Sequence, residues 1–278
     1  MPELPEVETI RRELDREVSG KRIKSVEVHG LRSIRRNTSK KQFTSRLEGA
    51  KIKSAQRRGK YLLLDLDTGD VLVIHLRMSG QLLKALAREP MPKHTHVVFT
   101  FTTGGQLRFV DPRTFGELFV AARETLVEEV PELADLGFDP VDEPMSWVRF
   151  GELLVSRKAK LKGLIMDQTF VAGIGNIYSD EILWDAGLRH DRSSDSLSSM
   201  EIRRLYRSVV EILHEAVKHR GSTLTDQQYV DLHGRPGQFQ LLHQVYDREA
   251  QACRRCRSPI VRAKFQGRST FYCEHCQV

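Results

Sequence analysis

The sequence predicts a multidomain α+β protein: an N-terminal helix leading into an antiparallel β-sandwich, then a helical domain, then a small cysteine-bound ribbon. Three observations carry this. The chain has 278 residues, more than one compact domain usually holds. Its apolar periodicity switches from helical to strand-like near Ile23 and back to helical after residue 146. All four cysteines lie in the last 26 residues, as Cys253-x2-Cys256 and Cys273-x2-Cys276 with 16 residues between the pairs.

The first element is a helix over Glu3 to Val18. Val7, Ile10, Leu14 and Val18 recur at helical spacing, acids crowd the first turn, and Arg11, Arg12 and Arg16 follow. Pro2 and Pro5 are tolerated because first-turn amides lack helical partners. Tyr61–Leu66 and Val71–Leu76 flank Asp-Thr-Gly-Asp, and Val97–Thr102 and Leu107–Val110 flank a Gly-Gly turn, so each pair reads as a hairpin. The helix and β-sandwich then span residues 1–130, and the acidic, proline-marked stretch 131–145 reads as a linker. Helical patterns near 146–162, 176–186 and 199–219 place a helical domain over 146–235. Residues 221–240, rich in Gly, Gln and Asp without a period, read as a loop. Two CxxC knuckles at this spacing let four thiolates converge on one structural zinc, which defines a ribbon over 243–278.

The charge balance is +7, and its distribution is uneven. Residues 21–60 carry fourteen Lys and Arg against Glu27 and Glu48, and residues 251–278 carry six against Glu274. Residues 123–152 reverse this, with nine acids against Arg123 and Arg149. Two basic surfaces on one chain fit a polyanionic partner. No apolar run reaches the roughly 18 residues of a membrane span, and Met1 to Thr9 lacks the pattern of a signal peptide. The expectation is a cytoplasmic protein with a polyanionic partner and no membrane association.

The opening Met1-Pro-Glu-Leu-Pro-Glu-Val-Glu-Thr9 resembles the start of the formamidopyrimidine-DNA glycosylase family. A proline after the initiator Met permits Met removal and leaves a secondary amine at the positive end of a helix, which lowers the amine pKa. Attack of that Pro2 amine on the sugar C1′ gives an iminium that cannot shed its charge, an electron sink for phosphate elimination. Glu3 and Glu6 flank the centre where a proton must reach the sugar oxygen or leaving base. An acidic first turn that merely suits the helix dipole is the plainer reading of the same two residues.

The resemblance continues in order along the chain. Lys60, in Arg57-Arg-Gly-Lys-Tyr, matches the family's strand-opening lysine that assists elimination. His75-Leu-Arg-Met-Ser-Gly80 and Asp111-Pro-Arg-Thr-Phe-Gly116 match loops that fill the gap left by an extruded nucleotide. They imply DNA contacts from His75, Met78, Arg113 and Phe115, the methionine and aromatic replacing lost stacking. Core packing is the alternative for Met78 and Phe115. His94 resembles a phosphate-contacting histidine, and Arg157 matches a DNA-contacting basic position. Asp167-Gln-Thr-Phe-Val-Ala-Gly-Ile-Gly-Asn-Ile-Tyr-Ser-Asp-Glu181 resembles the helix–two-turn–helix of the superfamily, and domain 146–235 carries it as its DNA-binding element, with Asn176 opening a helix whose amides suit an anion. Gly221-Ser-Thr-Leu matches a loop that caps the damaged purine. Tyr246 matches a phosphate-contacting tyrosine. Arg268, beside Gly267 at the ribbon's hairpin tip, matches the arginine credited with the second elimination step.

Together these imply a bifunctional glycosylase and abasic-site lyase, a monomer acting on double-stranded damaged DNA, that excises oxidised purines, namely formamidopyrimidines and 8-oxoguanine, with one structural zinc. Leu4 and the Arg113/Phe115 loop separate the chain from the sister endonuclease VIII enzymes, which prefer oxidised pyrimidines. A zinc-ribbon DNA-binding protein without catalysis is the remaining reading, and it predicts binding without strand cleavage.

Overall fold

The structure is a computed structural model that describes every residue except Pro144. It comprises two compact units: Met1–Ala134 with His219–Gln238, and Asp135–Lys218 with Phe239–Val278.

The first unit opens with helix α1 (Leu4–Val18), one residue shorter than predicted because Glu3 is its N-cap. Glu3 and Glu6 form a reciprocal capping box, and Pro5 sits in the first turn, where no helical hydrogen bond is lost. Val7, Ile10, Leu14 and Val18 are buried in the core, each worth roughly 1.5–3 kcal/mol relative to exposure.

Strand β1 (Ile23–Val28), helix α2 (Lys40–Leu47) and strands β2 (Ile52–Arg58), β3 (Tyr61–Leu66), β4 (Asp70–His75), β5 (Gln81–Ala85), β6 (Thr95–Phe101), β7 (Gln106–Val110) and β8 (Glu117–Ala122) follow. They build two antiparallel four-stranded sheets, ordered β1-β6-β7-β5 and β2-β3-β4-β8, whose apolar residues share one core. Both hairpins read from the sequence are present, β3 with β4 and β6 with β7. The short helices α3 (Leu126–Glu129) and α4 (Pro131–Ala134) close the first segment.

The second segment of this unit corrects the expected domain boundary. The sequence places residues 219–235 in the helical domain; His219–Gln238 instead completes the first unit. Tyr229 and Leu232 lie in the sandwich core, Leu232 N donates to Glu13 Oε2 at 2.9 Å, and Lys84 N donates to Leu232 O at 2.8 Å. Arg235 adds ion pairs to Glu13 and Asp231, both at 2.9 Å. The segment lacks a period because its few apolar residues are isolated pegs.

The second unit holds α5 (Trp147–Ser156), α6 (Leu161–Ile165), α7 (Asn176–Ala186) and α8 (Ser199–Lys218). The helix expected over 146–162 is thus two helices. Lys158 has φ 39, and the intervening backbone pairs elsewhere: Ser194 N donates to Ala159 O at 2.9 Å and Leu161 N to Arg192 O at 2.9 Å. The expected linker, 131–145, is also largely structured. Its first residues are α4, and Phe138 bridges Val171 in parallel, its amide donating to Phe170 O at 3.1 Å. Pro144 of that stretch lies outside the described residues. The hairpin of β9 (Val261–Phe265) and β10 (Arg268–Tyr272) ends the unit, turning at Gln266-Gly267. Among the described residues no helix is long and apolar enough to cross a membrane.

Candidate functional site

Pro2 is buried immediately before the N-cap of α1, and Glu3 and Glu6 are buried beside it. Glu6 Oε2 accepts the Glu3 amide at 2.7 Å, while Glu6 Oε1 accepts the Ser222 amide at 2.7 Å. One carboxylate therefore ties the first turn of α1 to the start of the 219–238 loop. Gly221 is required there. Its φ is +72, and a Cβ would lie 2.5 Å from Glu6 Oε1, so any other residue would be strained and would clash. Farther along the loop, Thr223 Oγ1 donates to Tyr229 O and accepts from Gly237 N, both at 2.8 Å.

Lys60 is placed through a relay that the sequence did not announce. Glu8, two residues after Glu6, accepts Arg57 Nε at 3.0 Å, and Arg57 Nη1 donates to Gly59 O at 3.0 Å. The two-residue β2–β3 turn, Gly59-Lys60, is thereby fixed to α1, with Lys60 largely buried. Burial pushes the Glu8 carboxyl up, but Arg11, Arg57 and Arg12 more than offset this and hold it at about 2.

The two loops matched to the extrahelical gap are joined by Asp111, which sequence reasoning left without a role. Asp111 is fully buried; its carboxylate accepts Ser79 Oγ at 2.5 Å, Gly116 N at 2.7 Å and Arg113 N at 3.2 Å. Ser79 belongs to one loop, and Arg113 and Gly116 to the other. Met78 is 40% exposed and Phe115 38%, so neither is a core residue. The Arg113 guanidinium lies 5.0 Å from the Phe115 ring centroid. His94, with φ 64, is exposed and its carbonyl accepts the Asp111 amide at 3.0 Å. His75 is buried at the end of β4, and its Nδ1 accepts the Arg77 amide at 3.0 Å, so Nε2 carries the proton of the neutral ring. Burial, reinforced by the Arg77 and Lys60 charges, lowers its pKa well below 6.5.

In the second unit Asn176 is the first residue of α7, after Gly173 at φ +93 and the N-cap Gly175. Its Nδ2 donates to Ser269 O at 3.0 Å. Arg157, at the end of α5, donates to Thr169 Oγ1 at 3.1 Å and Thr169 O at 3.2 Å and stacks over Phe170, so much of its hydrogen-bonding capacity is taken up by its own turn. Arg268 is exposed as the first residue of β10. Tyr246 packs edge-on against Phe271, centroids 5.2 Å apart.

Two adjacent acids of α7 were also missed by sequence reading. Glu181 accepts the amides of Gln244, Val245 and Tyr246 at 2.8–2.9 Å. Asp180 accepts Lys162 Nζ at 2.7 Å, Thr270 Oγ1 at 2.7 Å and Phe271 N at 2.9 Å. Burial lifts the Asp180 carboxyl to about 6, with the Lys162 charge pulling the other way.

The four cysteine sulfurs lie within 4.8 Å of one another. Cys253 and Cys276 are 3.9 Å apart and Cys256 and Cys273 3.4 Å, far beyond a disulfide bond of about 2.05 Å. A tetrahedral zinc with Zn–S near 2.3 Å requires sulfurs about 3.8 Å apart, so the set fits a structural Zn2+.

Three family models cover most of the chain: the formamidopyrimidine-DNA glycosylase N-terminal domain over residues 1–118, the H2TH domain of the same enzymes over 136–228, and a zinc finger found in FPG and IleRS over 250–278. The formamidopyrimidine-DNA glycosylase of Heliobacterium modesticaldum is 45% identical over 280 residues, covering 100% of both chains. That of Geobacillus kaustophilus is 44% identical over 277 residues, also with 100% coverage of both. Among solved structures, Lactococcus lactis Fpg in complex with DNA containing N7-benzyl-Fapy-dG superposes with a TM-score of 0.90 at 35% identity, over 99% of each chain. The MutM (Fpg) protein of Thermus thermophilus gives 0.88 at 41% identity, over 99% of this chain and 98% of that one. On this agreement of every segment, the chain belongs to the formamidopyrimidine-DNA glycosylase family.

Proposed function

We propose that the protein excises oxidised purines, formamidopyrimidines and 8-oxoguanine, from duplex DNA and then cleaves the strand by β,δ-elimination. The observation that carries this reading is Pro2 directly ahead of a capped, buried helix start, with Glu3 and Glu6 packed beside it. Once Met1 is removed, the proline nitrogen becomes a secondary amine whose lone pair attacks the sugar C1′. The C1′–N bond to the base breaks, and the base leaves with a proton. Glu3 is the group that moves this proton. Glu6, with both oxygens accepting amides, positions Glu3 and the Gly221–Leu224 loop instead.

The attached nitrogen sheds its own proton, the C1′–O4′ bond opens as O4′ takes up a proton, and the C1′=N iminium so formed has no N–H to lose. A base then removes the C2′ proton, the electron pair passes through C1′ to the iminium and back, and the C3′–O bond breaks to release the 3′ phosphate. Lys60 and His75 hold the DNA backbone through this step, and Arg268 grips phosphate for the second elimination. Met78, Arg113 and Phe115 occupy the gap left by the flipped nucleotide. His94, Asn176, Arg157 and Tyr246 complete the backbone contacts, and the basic surfaces make binding dependent on salt.

Borohydride trapping on an 8-oxoguanine duplex tests the reading. The adduct is expected on residue 2, and a form retaining Met1 should bind DNA yet neither trap nor excise. An adduct on Lys60, or normal trapping with Met1 retained, would overturn it.

A further inference from the structure

Arg268 begins β10 at the exposed tip of a two-stranded hairpin. Such a hairpin is marginally stable in water by itself, so the direction of its first side chain depends on what grips the strand. In this unit the grip falls on the three residues directly after Arg268. Ser269 O accepts Asn176 Nδ2 at 3.0 Å and Lys162 Nζ at 3.4 Å. Thr270 Oγ1 and Phe271 N both donate to the Asp180 carboxylate, at 2.7 and 2.9 Å. The outward-facing backbone of β10 is therefore paired by helix α7 rather than by a third strand, which closes an otherwise open sheet edge.

Asp180 is 1% exposed and Lys162 is fully buried, so this is a desolvated ion pair built around the strand. A buried pair is weakly favourable at best compared with apolar packing of the same volume. What it supplies is direction. Two carboxylate oxygens facing a hydroxyl and an amide on adjacent residues admit one register and one rotation of β10, which apolar contacts would not enforce.

We propose that Asp180, with Lys162 as its counter-ion, is a positioning residue that orients Arg268 toward the DNA backbone. This rests on the reading that Arg268 grips phosphate and serves the second elimination. Asp180 touches no DNA in this scheme and acts only through β10.

The test is a double-mutant cycle on duplexes holding an abasic site, with a tetrahydrofuran analogue for affinity and the natural site for the ratio of β to β,δ products. Asp180→Asn removes the charge, and Thr270→Val removes one hydroxyl while leaving the ion pair. Each should weaken binding about three- to tenfold, the scale of one ordinary hydrogen bond and so a partial loss of the Arg268 contact, and shift products toward β-elimination. Neither should have any further effect when Arg268 is already Ala. Stoichiometric zinc confirms that the ribbon is folded, and if Asp180→Asn loses zinc then Thr270→Val decides the matter. A zinc-replete Thr270→Val or Asp180→Asn with the parent product ratio would overturn the proposal, as would losses that add fully to Arg268→Ala. An Arg268→Ala protein indistinguishable from the parent would instead overturn the assigned role of Arg268 itself.

Discussion

Replacing Asp111 with Ala should damage the protein more than most single changes do. The substitution deletes the acceptor for Ser79 Oγ and Gly116 N, at 2.5 and 2.7 Å in a fully buried site, and for Arg113 N at 3.2 Å. A hydrogen bond to a charged acceptor is worth about 1.5–3 kcal/mol net, so the two short bonds set a loss of about 3–6 kcal/mol, with the longer one adding little. That lies in the upper tail for point mutants. At roughly 2–4 °C per kcal/mol, calorimetry should show a melting point lower by about 10 °C. Asp111→Asn, which keeps the shape but can accept through only one oxygen, should lose about half as much. Well below the melting temperature, the loops bearing Met78, Arg113 and Phe115 are no longer joined, so single-turnover excision of 8-oxoguanine should fall more than cleavage of a ready-made abasic site. An Ala variant melting within about 2 °C of the parent would show that the carboxylate does not hold the loops.

Three further outcomes are expected. Cys273→Ser, or stripping zinc, should unfold the ribbon and sharply weaken DNA affinity, because four-thiolate sites supply the folding energy of small ribbons; near-parent affinity in a verified zinc-free protein would contradict this. Phe115→Ala and Met78→Ala should slow lesion excision more than they weaken binding to DNA already lacking the base, since unstacking costs about a few kcal/mol per step; equal losses on both substrates would remove the wedge role. Stability should fall in acid in two windows. His75 has its folded pKa depressed below 6.5, so the unfolded chain takes up the proton first and stability declines as pH drops under 6.5, by at most about 1.4 kcal/mol per pH unit per proton. Glu8, held at about 2 against an ordinary 4.5, contributes stability that is complete above 4.5 and is lost as pH falls toward 2. Burial lowers His190 and His243 as well, so His75→Gln should reduce the slope of the upper window by one proton's share and leave the lower one, and an unchanged slope between pH 6.5 and 5 would refute its assignment.

The parts legible in the sequence were those whose signal is local. Val7, Ile10, Leu14 and Val18 announce α1 because one helix face is buried along its length, and the CxxC pairs announce a metal because each knuckle is short. Asp111 was quoted within its loop yet given no role, since its partner Ser79 lies 32 residues away. Asp180 and Glu181 close the matched helix–two-turn–helix stretch with no local sign of a role, because their partners Thr270 and Tyr246 lie 90 and 65 residues later. The placement of residues 219–238 was missed for a related reason: Tyr229 and Leu232 are single apolar residues in a polar stretch, and no period marks a segment that contributes isolated pegs to a distant core.

That discontinuous first unit has a bearing on biosynthesis. The sandwich core needs Tyr229 and Leu232, and the α1 carboxylates of Glu6 and Glu13 need the amides of Ser222 and Leu232. At about 5–20 residues per second, a ribosome that has completed Ala134 takes on the order of ten seconds more to deliver Gln238. Throughout that interval the nascent sandwich carries an unfilled apolar slot and two buried acids lacking these donors. The second unit is itself unfinished until its own last cysteine emerges. Vectorial synthesis therefore yields no finished N-terminal module ahead of the rest: both units close within the final portion of translation, and a fragment stopped after Ala134 leaves the ribosome with its core incomplete.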